Sequence, residues 1–461
     1  MRGAVAAGHP ATAGAGAEIL EEGGSAADAA VAACLASCVA ETVMTGLLGG
    51  GHAIYFDAST AKAENLDCFI AVPGLGRERR DVALLELDVP FGAEIVHYAV
   101  GIGSCGVPGL PAGLEALWKR RGRLPWPRLV EPALRLARDG VRMPAAHASC
   151  LAMLAPVMTM NEGARIYSPR GDLLREGDPL HQPGLVDALE ALADEGPRSA
   201  YEGTISRSLL ALMEERGGLV TEEDLRRYDV RWTDPVSVEF RGYDVRTRAG
   251  LADFPSVLAS LPQLRTLREP ERALAFVATL AQELPEQRGT TNLTVTDGDG
   301  STCVLTTSLG LGSGDFLPGL DLHLNSMLGE TDLLTEPLEP GERMPSMMAP
   351  SIALDGSGVA LAGGAAGGTR LRSALLQVVA GVLDEGLEPQ AAIDRPRLHP
   401  VGLLVHLEPG FSPETIGSLE SAGFEVSAWP SVHHYFGGVS AVTRNAAAGD
   451  PRRSGEARVL A

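Results

Sequence analysis

Alternation of apolar and polar residues is clearest in the C-terminal part of the chain. Residues 293–296 and 303–309 both alternate, and the Asp-Gly-Asp-Gly turn between them predicts a β-hairpin. Residues 351–354 and 359–362 repeat this arrangement around an Asp-Gly-Ser-Gly turn. A glycine-rich segment follows and leads into a helical pattern at residues 370–382. This part is therefore predicted to hold antiparallel strands and then a helix.

Helical periodicity dominates the earlier part of the chain. We expect helices at residues 12–21, 128–139, 185–193 and 205–215, a helix capped by Ser25 that reaches about residue 40, and a helix capped by Thr221. Residues 53–56 and residues 236–245 each alternate like a single strand. Residues 250–288 carry proline, leucine runs and mixed charge, so we predict a helical connection that lies on the surface.

The composition is that of a globular protein. Apolar residues make up 45% of the 461 and charged residues 21%, which allows a substantial core. The net charge of −21 disfavours nucleic acids and anionic membranes as partners, because both would repel the chain.

No apolar run is long enough for a signal peptide or a membrane span, so we expect a soluble, cytoplasmic protein. The six cysteines form no CxxC pair and are expected to be reduced, and we predict no metal site or cofactor.

Gly289, Thr290 and Thr291 stand directly before the first strand of the predicted hairpin. A threonine hydroxyl needs a neighbouring base to act as a nucleophile, and cleavage just before Thr290 would supply its own α-amine as that base. The amine titrates at about 7.7–8.0, which suits a proton acceptor. The alternative interpretation is structural, since β-branched residues pack well at the start of a strand.

The glycine-rich segment Gly-Gly-Ala-Ala-Gly-Gly at residues 363–368 precedes a predicted helix. Backbone N–H groups at such a helix N-terminus can hold an anion or a developing oxyanion. The segment lacks the Lys-Ser/Thr pair of a P-loop, so nucleotide binding is not favoured.

Short motifs follow one another in a recognisable order along most of the chain. They include Gly23-Gly24-Ser25-Ala26-Ala27-Asp28, Gly49-Gly50-Gly51, Gly106-Val107-Pro108-Gly109, Gly289-Thr290-Thr291, Arg343-Met344-Pro345-Ser346-Met347-Met348 and Gly367-Gly368-Thr369-Arg370. Together these motifs resemble the γ-glutamyltranspeptidase family of N-terminal nucleophile (Ntn) hydrolases.

The resemblance implies an α+β fold in the form of an αββα four-layer sandwich, with two stacked antiparallel sheets between helical layers. It also implies a precursor that cuts itself between Gly289 and Thr290. Residues 1–289 would become the large subunit and residues 290–461 the small catalytic subunit, and both would stay in one folded unit. The partners implied are these two subunits and a small-molecule substrate.

The resemblance also implies roles for individual residues. Thr290 would attack a carbonyl and form an acyl-enzyme, with its amine moving the proton. The N–H groups of Gly367 and Gly368 would stabilise the oxyanion. Thr291 and Ser308 would hold the nucleophile's hydroxyl in position.

The substrate-binding positions depart from the family pattern. Phe69 stands where the family has an arginine that binds the glutamyl carboxylate, and a phenyl ring cannot make the bidentate, charge-assisted bonds of a guanidinium. Asn325 is retained at a substrate position, but Glu330 only partly matches the family's acid that binds the α-amine. Ser346 keeps the first of two paired serines, and Met347 replaces the second.

The leading hypothesis is thus a self-processing threonine hydrolase or acyltransferase with a pocket that departs from glutamate recognition. One alternative is a family homologue that hydrolyses a carbon–carbon bond next to a ketone in specialised metabolism, similar to homologues that assemble proline derivatives of pyrrolobenzodiazepines and lincosamides. Another is a binding protein on the same fold that has lost turnover.

Overall fold

The computed structural model describes residues 1–78, 82, 84–91, 94–281, 290–330, 333 and 337–461, and describes residues 90, 91 and 94–96 by their backbone alone. The strands are β1 (Gly3–Ala7), β2 (Gly50–Asp57), β3 (Lys62–Cys68), β4 (Leu85–Phe91), β5 (Glu94–Val100), β6 (Val141–Arg142), β7 (Pro179–Leu180), β8 (Arg231–Thr233), β9 (Val236–Phe240), β10 (Tyr243–Thr247), β11 (Thr291–Asp297), β12 (Thr302–Ser308), β13 (Ser351–Asp355), β14 (Gly358–Ala366), β15 (Leu398–Val401), β16 (Leu404–Leu407), β17 (Glu425–Ala428), β18 (Gly438–Thr443), β19 (Ala447–Gly449) and β20 (Glu456–Leu460).

The helices are α1 (Pro10–Glu21), α2 (Ala26–Ala40), α3 (Leu110–Arg121), α4 (Trp126–Asp139), α5 (Ala145–Met158), α6 (Gly163–Tyr167), α7 (Pro183–Glu195), α8 (Ser199–Glu202), α9 (Thr204–Arg216), α10 (Glu222–Arg227), α11 (Phe254–Ser260), α12 (Glu269–Leu280), α13 (Arg370–Leu383), α14 (Pro389–Asp394) and α15 (Pro413–Ser421).

Two antiparallel sheets form the centre of the fold. The first has the strand order β20-β1-β11-β12-β2-β3-β8, and the second has the order β19-β18-β14-β13-β10-β9. In the first sheet β11 lies between β1, where Val5 faces Val295, and β12, where Thr291 faces Thr307. The strand that follows Thr290 is therefore held on both edges.

The apolar clusters show how the layers stack. The outer face of the first sheet, including Leu293 of β11, packs on α1, α2, α4 and α7. The outer face of the second sheet packs on α11, α12, α13 and α14. Between the sheets, Ile54 and Val304 meet Ile352, and Thr294 donates a hydrogen bond of 3.0 Å to the Ser440 carbonyl. This order of helices, sheet, sheet and helices confirms the αββα prediction.

Local sequence explains how the helix next to the site begins. Ser25 accepts a hydrogen bond from the Asp28 N–H at 3.1 Å, and the Asp28 carboxylate accepts one from the Ser25 N–H at 2.9 Å, which forms a capping box. Every residue of α2 is buried, as expected for an alanine-rich helix that contacts both the sheet and α4. The predicted caps at Ser25 and Thr221 are confirmed.

Two predictions from the earlier part of the chain are wrong. Residues 236–245 form a hairpin of β9 and β10 instead of one strand, because Arg241 (φ 56°) and Gly242 (φ 86°) make a two-residue turn. The connection at 250–288 is helical but not confined to the surface, since α11 and α12 bury Phe254 and Phe276 in the core behind the second sheet. Its last part, residues 282–289, lies outside the described residues.

All six cysteines are buried and carry free thiols. Among the described residues, no helix combines the length and the apolar character needed to cross a membrane.

Candidate active site

Thr290 lies immediately before β11 and is 1% exposed. The pairing of Thr291 with Thr307 and of Ser308 with Gly50 fixes the register of this end of the sheet. One further step along the antiparallel ladder places Ser308 opposite Thr290. The predicted nucleophile and the residue with the predicted supporting hydroxyl therefore lie opposite each other on neighbouring strands.

The glycine loop joins β14 to α13 in the second sheet. Gly367 (φ 133°) and Gly368 (φ 64°) both adopt backbone conformations that favour glycine. A Cβ on Gly367 would lie 2.8 Å from the Gly437 Cα, so a side chain there would meet backbone. Among the described residues, neither amide N–H donates a hydrogen bond to the protein. Two N–H donors therefore remain for a ligand, as oxyanion stabilisation requires.

Thr290 and the last residue of β14, Ala366, line the same cavity. The cavity lies where the two sheets meet, and its walls include polar groups from distant parts of the chain. Its remaining lining residues are Gly8, Glu41, Met44, His147, Thr291, Asn292, Gly438, Val439, Ser440, Asp450 and Arg453.

Glu41 is a buried carboxylate that the sequence analysis missed. Its Oε1 accepts a hydrogen bond of 2.6 Å from Thr12, and its Oε2 accepts one of 2.5 Å from the Thr291 hydroxyl. Burial raises the pKa of Glu41, while the hydroxyl bonds and the charge of Arg453 oppose that shift. A single acid at the end of an alanine-rich apolar helix is the signal that could have pointed to it.

Arg453 is the second residue that sequence reasoning missed. Its guanidinium is buried, and its Nη1 lies 3.4 Å from the Thr290 carbonyl oxygen and 3.1 Å from the Met44 sulfur. Its Nη2 lies 3.3 Å from the position that a Cβ on Gly367 would occupy. Burial lowers the pKa of Arg453. The side chain thus joins the predicted nucleophile to the predicted oxyanion loop, and nothing in its local sequence indicates this.

His147 lines the same cavity, with its ring 5.5 Å from that of His9. Burial lowers the pKa of His147 to about 3, so the imidazole is neutral near pH 7. Among the described residues, no histidine hydrogen-bonds to Thr290.

Thr291 and Ser308 are placed beside Thr290 by the register of β11 and β12, and each makes a hydrogen bond to another residue. Thr291 donates to Glu41, and the Ser308 hydroxyl accepts a hydrogen bond of 2.9 Å from the Gly310 N–H. Their predicted contact with the nucleophile's hydroxyl stays a prediction. The predicted cleavage partner Gly289 lies outside the described residues.

Phe69 is completely buried directly after β3. Its ring stacks on His52 with a centroid distance of 5.3 Å, and it packs in a cluster with Met327, Met344 and Met348. The position at which the family carries a carboxylate-binding arginine is therefore part of a methionine-rich apolar cluster.

Asn325 uses its side chain to hold two loops together. Its Oδ1 accepts a hydrogen bond of 2.9 Å from the Gly106 N–H, and its Nδ2 donates to the Gly106 carbonyl at 2.9 Å and to the Leu48 carbonyl at 3.0 Å. Ser346 accepts a bond of 3.2 Å from the Met348 N–H. Substrate binding by Asn325 and Ser346 stays a prediction, and each already has a structural role.

Met347 is fully buried in the core behind the second sheet, so its predicted place in the substrate pocket also stays a prediction. The segment around it is held by Arg248, whose Nη1 donates to the Ser346 and Met348 carbonyls at 3.1 Å each. Burial lowers the pKa of Arg248 to about 10.

A family model described as gamma-glutamyltranspeptidase matches residues 12–272 and 263–460, which is nearly the whole chain. The chain belongs to the γ-glutamyltranspeptidase family. Glutathione hydrolase 3 of Arabidopsis thaliana is 28% identical over 83% of this chain and 70% of its own length. The acylase ACY 1 proenzyme of Pseudomonas sp. (strain SE83) is 27% identical over 96% of this chain and 90% of its own length.

The fold of this γ-glutamyltranspeptidase-family chain is shared with solved acylases. The crystal structure of the cephalosporin acylase from Bacillus halodurans superposes with a TM-score of 0.85 and 23% identity, covering 100% of this chain and 96% of that one. The family resemblance and the Ntn-hydrolase fold are thereby confirmed. The chain is an enzyme of the hydrolytic and acyl-transfer class to which γ-glutamyltranspeptidases and acylases belong.

Proposed function

We propose that this protein is a self-processing threonine hydrolase in which Thr290 is the nucleophile. The proposal is carried by where Thr290 lies. It stands directly before an inner strand and lines one cavity together with the end of β14. The two glycines that follow β14 have N–H groups that donate to no other described residue. Family membership supports the same residue, because Gly289-Thr290-Thr291 is the family motif at which the precursor is expected to be cut.

In the processing step, the Thr290 hydroxyl attacks the Gly289 carbonyl carbon. The Gly289–Thr290 peptide bond breaks, the nitrogen takes up the proton, and an ester forms between Gly289 and the Thr290 oxygen. Water then hydrolyses this ester, which leaves a Gly289 carboxylate and a free Thr290 amine. The proposed products are residues 1–289 and residues 290–461.

In turnover, the freed amine accepts the proton from the Thr290 hydroxyl as its oxygen attacks the substrate carbonyl. The N–H groups of Gly367 and Gly368 stabilise the oxyanion that forms. When the tetrahedral species collapses, the amine returns the proton to the leaving group and an acyl ester remains on Thr290. Water or an acceptor amine then releases the acyl group.

The acyl group is proposed to differ from γ-glutamyl. Phe69 lies among methionine side chains and supplies no bidentate donor, so a carboxylate at this position would lose the charge-assisted bonds of the family's arginine. Arg248 is the cation that holds the neighbouring segment, but its Nη1 is already used by two carbonyls.

A panel of acyl anilides tests both parts of this proposal. We expect γ-glutamyl anilide to react at least about 100-fold more slowly than the best apolar acyl anilide, with or without a dipeptide acceptor, because a lost bidentate contact costs about 3 kcal/mol. Acid quenching during turnover should trap an acyl mass increment on the peptide that begins with Thr290. Rapid γ-glutamyl transfer would contradict the proposal that the pocket no longer recognises glutamate. An acyl mass increment on another residue would contradict the proposal that Thr290 is the nucleophile.

The second candidate is hydrolysis of a carbon–carbon bond next to a ketone. The apolar cluster around Phe69 favours it, since a ketone substrate needs no charged clamp, and attack on an activated ketone passes through the same type of oxyanion. Release of a carboxylic acid from an activated ketone, with no turnover of any anilide, would select this candidate. A chain that stays whole and inactive on both substrate classes would instead indicate a binding protein.

A further inference from the structure

Arg453 is a buried cation with few partners. The residue is 6% exposed, its Nη1 makes the two contacts with Met44 and Thr290, and its Nε has no hydrogen-bond partner among the described residues. A buried charge without a close counter-ion reduces stability, so packing alone does not account for an arginine here. Its position beside the Thr290 carbonyl indicates a role at the reacting centre.

Glu41 contacts Thr291, the residue that follows the proposed nucleophile. Its carboxylate oxygens accept hydroxyl hydrogen bonds from Thr12 and Thr291, and these bonds favour the ionised form against the burial that raises the pKa of Glu41. A Cβ on Gly8 would lie 2.5 Å from Glu41 Oε2, so the backbone of the chain closes over this carboxylate. Two side chains of opposite charge therefore contact neighbouring residues, Arg453 at the Thr290 carbonyl and Glu41 at the Thr291 hydroxyl.

Other titratable groups lie around the cavity, and the Asp450 carboxylate, like Glu41, favours the charged form of Arg453. Burial keeps His147 neutral by lowering its pKa to about 3, and it keeps the Cys150 thiol neutral by raising its pKa to about 11. The Asp450 carboxylate is already paired with Arg397 at 2.5 Å. His433 also lies near Arg453, since the guanidinium charge contributes to the lowered pKa of His433. Two other basic side chains act on Arg453 or lie near it.

These two are Arg370 and His434, which belong to the elements that pack behind the glycine loop. The charge of Arg370 contributes to the lowered pKa of Arg453, and burial lowers the pKa of His434 to about 2. Arg370, the first residue of α13, stands over the Tyr435 ring at 4.4 Å and donates to the Thr369 hydroxyl at 3.4 Å.

We propose that Arg453 and Glu41 are positioning residues that hold the Thr290–Thr291 peptide and set the protonation of the freed Thr290 amine in opposite directions. This proposal rests on the proposed function, since the amine exists only after cleavage. The Glu41 carboxylate stabilises the ammonium form and raises its pKa, whereas the Arg453 guanidinium favours the neutral, reactive form. A residue with only a structural role would not shift the amine pKa with a defined sign.

The test is the pH dependence of kcat/KM for processed wild type and for Glu41→Gln and Arg453→Met, with the acyl anilide that wild type hydrolyses best. We expect the acid limb of the profile to move down by about one pH unit in Glu41→Gln and up by about one unit in Arg453→Met. Thr12→Ser is the matched control, because it changes a neighbour of Glu41 and keeps both the hydroxyl hydrogen bond and the charge of the carboxylate. Its acid limb should stay at the wild-type position.

If a variant does not turn over the anilide, the rate of its self-cleavage, measured by intact mass, still tests the proposal. Arg453→Met is expected to slow cleavage by about tenfold, and Arg453→Lys, which keeps the charge, should restore most of the rate. The proposal would be overturned if the acid limbs of the pH profiles do not move, or if they move in the same direction in both variants. Self-cleavage of Arg453→Met at the wild-type rate would also overturn it. A wild-type chain that is never cleaved would instead defeat the proposed function itself.

Discussion

Replacing Gly367 by alanine tests the oxyanion loop directly. At φ 133° an alanine is strained, which costs about 1–3 kcal/mol, and its Cβ would lie 2.8 Å from the Gly437 Cα, a backbone atom that cannot move aside alone. The loop must therefore shift and carry its N–H groups out of line. Loss of one oxyanion donor lowers kcat by about 10²–10³-fold, or roughly 2.7–4 kcal/mol in the barrier.

The control is Gly358→Ala at the opposite end of the same strand, β14. Gly358 has φ 103°, and a Cβ there meets nothing within 4 Å, so the variant carries backbone strain without a clash. Urea unfolding should show a loss of stability in both variants, larger in Gly367→Ala because of its clash, and steady-state kinetics should show the loss of kcat only in Gly367→Ala. A kcat for Gly367→Ala within about threefold of the control would refute the role given to this loop.

Three further predictions concern the supports of the site and of the fold. Gly8→Ala places a Cβ 2.5 Å from Glu41 Oε2, so we expect self-cleavage, measured by intact mass, to slow by about tenfold, and unchanged cleavage would contradict the importance of this carboxylate. Glu408→Gln removes the nearer of two buried counter-ions of Arg452, at 2.5 Å, and leaves Asp450 at 3.3 Å, so it should cost about 3 kcal/mol in urea unfolding, the low end of the range for a broken buried pair. A loss below about 1 kcal/mol would argue against this pair. The pKa of Glu195 is lowered from 4.5 to about 2, chiefly by hydrogen bonds from hydroxyl groups, so its contribution to stability is complete above pH 4.5 and disappears as the pH falls through about 2. Because Glu195 is partly exposed this contribution is small, and the stability difference between wild type and Glu195→Gln should shrink from near pH 7 to near pH 3; a difference that grows toward acid would contradict the sign.

Local sequence was sufficient for most individual elements of this fold. The caps at Ser25 and Thr221, and the hairpin that follows Thr290, are determined by residues within a few positions of one another. The error at residues 236–245 has the same local origin, since Arg241 in a positive-φ conformation is unusual for a non-glycine residue. The four-layer stacking came from the family resemblance and not from periodicity.

The residues of the candidate site also differ in whether the local sequence indicates them. Thr290 and the glycine loop carry local signals, namely a threonine pair before a strand and glycines before a helix. Arg453 carries none, and Glu41 carries only its place at the end of an alanine-rich helix, because their bonds to the nucleophile segment span 163 and 250 positions of the chain. Single charged side chains acquire a role only when the sheets bring them together, and that placement depends on the whole fold.

The proposed catalysis requires cleavage of the chain before Thr290. Intact-mass analysis with N-terminal sequencing of the purified protein measures this cleavage directly. We predict two unequal chains that stay associated, the smaller beginning at Thr290, and a Thr290→Ala variant that remains whole under the same conditions. A wild-type chain that stays whole on prolonged incubation, or a Thr290→Ala variant that is still cut at the same bond, would contradict it.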